Sequence, residues 1–547
     1  MGLASGTQVC DNGVKQVELP DSISLGELLR GLTAVNCYPH EVSRVELIET
    51  HISVVLLAGC YAYKIKKPVD LGFLDFSTLE LRRKYCFEEL RLNQRLAPNL
   101  YLEVVAITVQ RGRPMVAPHG SAGAIEYAVK MRRFEQSALL DHMLSVGELT
   151  PRHLDALAAT TAAFHSSIAR PSNAGEPLSF GLPENIAQSM RQNFTQIRPL
   201  LDTADERHAL DHLEAWSLKN HARLAPVMAE RSRSGFVREC HGDLHLGNII
   251  WAETEIQIFD CIEFNPGLRW IDVASEIAFT VMDLCSRARP GWAWRILNAY
   301  LEITGDYAAL GLLSYYLVYR AMVRAKVARI RAGQSDGEVR RLALLDYAEH
   351  IRLATDFTAP RPLSMTITHG VSGSGKTTIT QPLLEEIGAL RLRSDVVRKR
   401  LQGLKPGARS GSALGSGLYS ERLTRATYDE LLRLSHVVLE AGFPVIIDAT
   451  FLRRDQRDAF NLAAAAAQVP FLILECAAAT SLLHDRVRRR EAEAADASEA
   501  NHAVLDWQLQ HDEGLDTLEM ACTIKLEAEP LLPMATILAR IAEGRSD

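Results

Sequence analysis

Glu239 to Phe264 reads ECHGDLHLGNIIWAETEIQIFDCIEF. A turn carrying His, Asp and Asn is followed by apolar residues, and the run IQIF ends on Asp260. IQIF reads as a short strand that delivers this Asp to its end. Asp243 and Asn248 stand five positions apart just upstream. Phosphoryl transfer needs an oriented nucleophile, one or two Mg²⁺ ions across the phosphates, and a cation on the α- and β-phosphates. Asp243 would accept the proton of a substrate hydroxyl. Asn248 would ligate metal through its amide oxygen, and Asp260 would be the main Mg²⁺ ligand. A lone His-Gly-Asp is often only a turn whose Asp caps a helix. Three oxygen donors in this order are much harder to assemble by chance.

The missing cation is sought upstream. ISVVLLAGCYAYKIKK predicts two short strands joined by a Gly turn, and Lys64 follows Ala62 by two in the second. Lys66 points the same way on a strand and competes for the role. LELRRKYCFEELRLNQRLA predicts a helix with Leu81, Tyr85, Leu90 and Leu96 at near-helical spacing. Its Glu89, in preference to Glu88, is the candidate ion-pair partner of the lysine. D-x-x-x-x-N followed by a strand-end Asp is the protein-kinase arrangement. With Gly242 in place of Arg before the Asp, the pattern resembles the aminoglycoside-phosphotransferase and choline-kinase branch. That resemblance implies a kinase-like α+β fold of two lobes, about 30–133 and 134–353, after an N-terminal extension 1–29. It also implies that VKMRRFEQ is the hinge meeting adenine and that Asp272 braces the catalytic loop. His165 and His245 receive no role, and 170–235 carries no readable chemistry.

A second signature follows. Gly370 to Thr377, GVSGSGKT, matches G-x-x-x-x-G-K-[ST], with Thr378 next. The residues Gly370, Val371, Ser372, Gly373, Ser374, Gly375 and Lys376 would wrap the β-phosphate in backbone N–H groups at a helix start. Lys376 would bridge the β- and γ-phosphates, and the Thr377 hydroxyl would bind Mg²⁺. Pro382 sits oddly within the helix that follows. Pro360 and Pro362 place a linker at 354–362 and a second domain at 363–547. Strand and helix patterns alternate there, predicting an α/β P-loop fold with a parallel sheet. Asp395 closes one strand, Arg398 follows a turn later, and Asp448 closes another as a Walker B metal-side candidate or a second substrate-side acid. Arg486, Arg489 and Arg490 lie on a charged helix, and a Gly/Ser-rich loop spans 403–417. Together these resemble P-loop kinases such as gluconate kinase, polynucleotide 5′-kinase and zeta-toxin-like proteins. The resemblance implies that Asp395 activates a substrate hydroxyl and that Arg486 and Arg490 close a lid over the transferring phosphate.

Composition sets outer bounds. The 547 residues carry a net charge of −7, so no global basic field recruits nucleic acid or an anionic membrane. The nine cysteines are scattered without ligand spacing, which predicts a reducing, cytoplasmic setting with no structural zinc. FNLAAAAAQVPFLILECAAA reads as a helix end, a turn and a buried strand, not as a membrane span. The whole chain resembles bacterial two-part proteins in which an aminoglycoside-phosphotransferase-like domain precedes a P-loop kinase-like domain. The implied activity is bifunctional, ATP- and Mg²⁺-dependent phosphorylation of small hydroxylated acceptors. Three rivals stand beside it: a polynucleotide 5′-kinase in the second domain, ATP sites that regulate without acceptor turnover, and aminoglycoside resistance.

Overall fold

The computed structural model describes residues 15–16, 24–50, 52–70, 74–170, 180–408, 420–493, 498–527 and 533–543. The chain forms two compact units, and it passes between them more than once. The first unit comprises 1–150, 167–185 and 231–276; the second comprises 151–166, 186–230 and 277–547.

In the first unit a capping box of Ser24 and Glu27 starts helix α1 (Leu25–Leu32). The boundary expected at residue 30 therefore falls inside a helix, because the cap sets the start at Leu25. Six antiparallel strands follow: β1 (Val45–Glu49), β2 (Ser53–Ala58), β3 (Tyr61–Lys66), β4 (Tyr101–Gln110), β5 (Arg113–Pro118) and β6 (Ala124–Arg132). Their order is β1-β2-β3-β6-β4-β5. The β2–β3 turn is Gly59–Cys60, and Gly59 has φ +60 with a Cβ position 2.8 Å from the Glu41 carbonyl oxygen. Only glycine fits that turn without strain. Leu28 and Leu32 of α1 share a core with Leu56, Tyr63, Ile65 and Ile107 of the sheet.

Helix α2 (Leu79–Asn93) departs from the expected face. Leu81, Tyr85 and Leu90 are half-buried, Leu96 lies beyond the helix, and the buried residues are Arg82, Cys86, Glu89, Leu92 and Asn93. Charge pairing explains the polar inner face. Arg82 Nε donates to both oxygens of Glu126 on β6, at 3.0 and 2.8 Å, and Glu89 meets the lysines of β3. After the short helix α3 (Leu140–Ser145), the unit is completed by β7 (Val237–Glu239), β8 (Ile249–Ala252), β9 (Glu255–Ile258) and β10 (Trp270–Asp272). β8 pairs with β9 and β7 with β10, both antiparallel.

The second unit holds the helices α4 (Pro151–Ser167), α5 (Pro183–Ile197), α6 (Ala204–Arg233), α7 (Val273–Ser286), α8 (Pro290–Thr304), α9 (Leu310–Gly333) and α10 (Gly337–Thr358), apart from the ends that cross into the first. The segment 170–235, which carries no readable chemistry, holds α5 and α6 where described. Helix α10 runs to Thr358 with Ala354 and Phe357 buried, so the linker expected at 354–362 begins as helix. Pro360 still acts as foreseen: Ala359 before it is extended, with ψ 143.

Five parallel strands then form the P-loop sheet: β11 (Met365–His369), β12 (Leu390–Arg393), β13 (Val445–Asp448), β14 (Phe471–Ala477) and β15 (Thr523–Glu527), in the order β12-β13-β11-β14-β15. The intervening helices are α11 (Lys376–Ile387), which runs through Pro382, α12 (Ser394–Leu401), α13 (Glu421–Glu440), α14 (Arg454–Ala466), α15 (Thr480–Glu493), α16 (His502–Gln510) and α17 (Thr517–Ala521), and α18 (Met534–Glu543) ends the fold. Residues 409–417 of the Gly/Ser-rich loop lie outside the described residues. Among the described residues no helix is long and apolar enough to cross a membrane.

The Arg82–Glu126 pair yields a test. Arg82→Ala leaves a buried carboxylate without its cation, a change that costs about 3–5 kcal/mol. Replacing both residues by apolar ones of similar volume should cost far less. Thermal melting followed by tryptophan fluorescence compares the two variants, and equal losses would refute the assignment.

Candidate active sites

The first site is assembled on β3, α2 and the hairpin β8–β9. Strand alternation puts Lys64 and Lys66 on one face, and both meet Glu89. Lys64 Nζ lies 2.8 Å from Glu89 Oε1, and Lys66 Nζ lies 2.7 Å from Oε2. The lysines differ in their second partners: Lys64 pairs with Asp260, Lys66 with Glu263. The competition left open by sequence thus resolves into two jobs. Lys64 reaches the candidate metal ligand, and Lys66 is buried behind it. Glu88 faces away, 2.7 Å from both Arg91 and Arg269. Burial alone would raise the Glu89 carboxyl, but Lys64 and Lys66 hold it down at about 2. Burial disfavours the charge of Lys64 too, yet Asp260 and Glu89 keep it well above the ordinary lysine value.

The catalytic-loop candidate runs from His241 to Asn248. Gly242 has φ +90, and a Cβ there would lie 2.8 Å from the Leu268 carbonyl oxygen, which explains Gly before the Asp. The amides of His241 and Gly242 donate to Glu276 at 2.7 and 2.8 Å. Asp272, expected to brace this loop, instead receives Arg231 at 2.7 and 2.9 Å and the Ala274 amide at 2.8 Å. It sits where α7 starts, and the acid one turn farther on reaches the loop. Glu276 was therefore missed, although an acid at i+4 on the same helix was the available signal. His241 is buried, which lowers its pKa and favours the neutral ring, and its Nε2 lies 2.9 Å from the Phe259 carbonyl oxygen. His245, given no role, accepts the Gly247 amide at 3.1 Å, and His165 bonds the Tyr300 hydroxyl at 2.8 Å in the second unit.

Asn248 donates its amide nitrogen to Asp243, at 3.0 Å to the carbonyl oxygen and 3.2 Å to the carboxylate. This orientation leaves its Oδ1 as the atom to meet a cation. The β8–β9 ladder pairs Ile249 with Ile258, and the Phe259 amide donates to the Asn248 carbonyl at 2.9 Å. Register therefore sets Asn248 beside the segment bearing Asp260. Asp260 has φ +64, a strained conformation for a non-glycine residue, and its amide donates to the Tyr101 hydroxyl at 3.2 Å. The amide of Cys261 donates to Asn93 Oδ1 at 2.9 Å, tying α2 to the same segment. At the proposed hinge, Phe134 packs against Phe259 with ring centroids 5.2 Å apart.

The second site lies between β11 and α11. Gly370, Gly373 and Gly375 have φ of +142, +84 and +93, and a Cβ on Gly370 would stand 2.5 Å from the Cys476 carbonyl oxygen. The loop thereby turns its backbone inward. Lys376 Nζ donates to the carbonyls of Gly370 and Val371 at 3.0 and 2.8 Å. The Thr377 hydroxyl donates to Asp448 at 2.6 Å, joining the two candidate metal ligands from the start of α11 to the end of β13. Asp395 meets Arg398 at 2.8 Å. Arg486 donates to the Gly373 carbonyl at 3.2 Å, and Arg490 to the Ala500 carbonyl at 2.7 Å. These side chains line one cavity of about 1260 Å³ with the loop. Gln508 of α16 was missed: it accepts the Ser372 amide at 2.8 Å, and its distance along the chain hides it from motif reading. Asn248 with Asp260 and Thr377 with Asp448 offer oxygen donors only, the chemistry that fits Mg²⁺.

Residues 84–313 match the family model described as the phosphotransferase enzyme family, and residues 365–515 match an AAA domain. Uncharacterized proteins of Mycobacterium tuberculosis (strain ATCC 25618 / H37Rv) and Mycobacterium bovis (strain ATCC BAA-935 / AF2122/97) are 30% identical over 483 residues, covering 87% of this chain and 94% of theirs. A sugar kinase from Janibacter sp. HTCC2649 aligns with a TM-score of 0.26 and 22% identity over 33% of this chain and 92% of its own. A choline/ethanolamine kinase family protein from Mesorhizobium loti aligns with a TM-score of 0.35 and 11% identity over 57% of this chain and 92% of its own.

Two expectations follow, each measured with the other site silenced. In a Lys376→Ala chain, Glu89→Gln should weaken ATP binding by about 1.5–3 kcal/mol, the worth of a hydrogen bond to a charged group. Glu88→Gln should leave it unchanged, and equal losses would contradict the division of labour. In a Lys64→Met chain, burial holds Lys376 below the ordinary lysine value. A bound anion favours the ammonium and raises that value. Binding must then take up protons at alkaline pH, and affinity must fall as pH rises through the free protein's Lys376 pKa. Calorimetry in buffers of unlike ionisation enthalpy reads the uptake, and Lys376→Arg should abolish it because Arg stays charged.

Proposed function

We propose that this chain, which belongs to the family of two-domain proteins joining a phosphotransferase-enzyme-family domain to an AAA domain, is a bifunctional ATP-dependent phosphotransferase. Each domain would transfer the γ-phosphoryl group of Mg·ATP to a hydroxyl of a small acceptor. The observation that carries the reading is the linked set at the first site, where Lys64 bridges Glu89 and Asp260 while Asn248 bonds Asp243.

At the first site Lys64 neutralises the α- and β-phosphates, and Glu89 holds its ammonium in place. Asn248 Oδ1 and the Asp260 carboxylate are the residues to hold Mg²⁺. Asp243 takes the proton of the acceptor hydroxyl as that oxygen attacks the γ-phosphorus and ADP leaves. Glu276 keeps the loop amides, and so the direction of Asp243, fixed. At the second site the loop amides and Lys376 embrace the β- and γ-phosphates, while Thr377 and Asp448 would hold Mg²⁺. Asp395 is the base, and Arg398 restrains it until an acceptor enters. Arg486 and Arg490 supply positive charge on the transferring group. At either site the bound Mg²⁺ supplies charge neutralisation across the phosphates.

The experiment is a mass-spectrometric comparison. Purified protein is incubated with Mg·ATP and a small-molecule cell extract, beside Asp243→Asn and Lys376→Ala. New species heavier by one phosphoryl group are expected, some lost in one variant and others in the second. ATP binding without any such product would overturn the bifunctional reading.

A further inference from the structure

Among the described residues β12 is an edge strand, with β13 on one side and no strand on the other. Buried backbone groups on such an edge need partners. Asn298 on α8 supplies them with its side chain. Its Nδ2 donates to the Ala389 carbonyl at 3.0 Å, and its Oδ1 accepts the Arg391 amide at 2.7 Å. A residue on a parallel strand opposite Leu390 would make the same two bonds. Asn298 therefore closes the edge as a one-residue surrogate strand.

The Arg391 side chain carries the contact inward. Its Nη1 donates to the Thr377 carbonyl at 3.1 Å and to the Thr380 hydroxyl at 3.3 Å, both on α11. Its Nε and Nη2 donate to Glu302 at 3.4 and 3.3 Å. Glu302 stands one helical turn beyond Asn298 and also faces the cavity-lining Arg393 at 3.6 Å. Thr377 is the residue whose hydroxyl meets Asp448. A continuous polar route thus runs from α8 through Arg391 to the candidate metal ligand of the P-loop. Its origin lies in the stretch matched by the phosphotransferase family, and its end in the stretch matched by the AAA domain.

We propose that Asn298 and Glu302 are positioning residues of the P-loop site: α8 holds β12 at its open edge and, through Arg391, sets the start of α11 and the aim of Thr377. This rests on the reading of that site as a Mg·ATP site. The P-loop domain then borrows part of its active-site scaffold from the domain before it. A separate contact at the same junction, Arg295 with Glu385 at 3.1 Å, does not touch Arg391 and serves as a control.

The test is equilibrium ATP binding to the full chain carrying Lys64→Met, with Mg²⁺ and with EDTA. In that background Glu302→Gln and Asn298→Ala should each weaken Mg·ATP binding about tenfold, within the usual range of coupling between sites. Metal-free ATP binding should fall clearly less, because the route ends at Thr377. Arg295→Ala should change neither. If Glu302→Gln leaves Mg·ATP binding intact, or if Arg295→Ala reproduces the losses, the positioning role is overturned. Glu302→Gln preserves size, so it decides the matter even where Asn298→Ala does not fold. If the parent binds no better than its Lys376→Ala derivative, the Mg·ATP reading fails, and the inference falls with it.

Discussion

A carboxylate buried beneath two lysines organises the first site. Glu89 could not remain ionised inside the protein without compensation, because desolvation penalises the charge heavily. Two ammonium groups supply that compensation, and each needs a further acid of its own. Asp260 answers Lys64 and Glu263 answers Lys66. Three carboxylates therefore face two lysines. Asp260 is the most exposed of the three acids. In the proposed reading this is the carboxylate at which a divalent cation would bind. The same chain of charges joins β3, α2 and the segment after β9, so ordering one part orders the others.

The two sites solve one electrostatic problem by different means. The first uses side chains from separate segments, and its precision depends on the packing of a helix against a sheet. The second uses the backbone of one short loop, and its precision depends on glycines that reach conformations closed to other residues. Gly370 shows the difference: its Cβ position is occupied by the Cys476 carbonyl of the neighbouring strand. A side chain there would push the loop off the sheet. The phosphate loop of the second site is thus local, while the core of the first site is gathered from separate segments.

This difference decides how much was legible in the sequence. The P-loop, the parallel alternation and the Asp243–Asn248–Asp260 series stand on local spacing, and a linear reading finds them. Lys64 and Lys66 could not be told apart, because strand alternation gives them the same direction and only their distant partners separate them. The inner face of α2 was misjudged for a related reason. Apolar periodicity marks a helix's buried side only when burial is apolar, and here Arg82, Glu89 and Asn93 are buried by pairing. Asp272 and Glu276 share a helix start, and the choice between them depends on reach, which spacing does not encode. Gln508 joins the P-loop from far along the chain, and no local pattern announces it.

The domain boundary shows the same limit from another side. Prolines 360 and 362 mark where the helical pattern stops, and family matching also ends one domain and begins the next on either side of them. Contacts draw a different line, grouping α8 with the P-loop sheet in one compact unit. Arg361, within the connecting segment, lies over the rings of Trp294 and Phe443 at 4.6 and 4.1 Å. Gly388 leaves space for Trp294, whose Nε1 is 3.0 Å from the position a Cβ would take. A cut through the connector would strip these rings of their cover and open the edge of β12 that Asn298 closes. Exposed edges of this kind invite pairing with other chains. The P-loop sheet therefore shares one compact unit with α8 and with most of the helices before it, a grouping that the prolines do not mark.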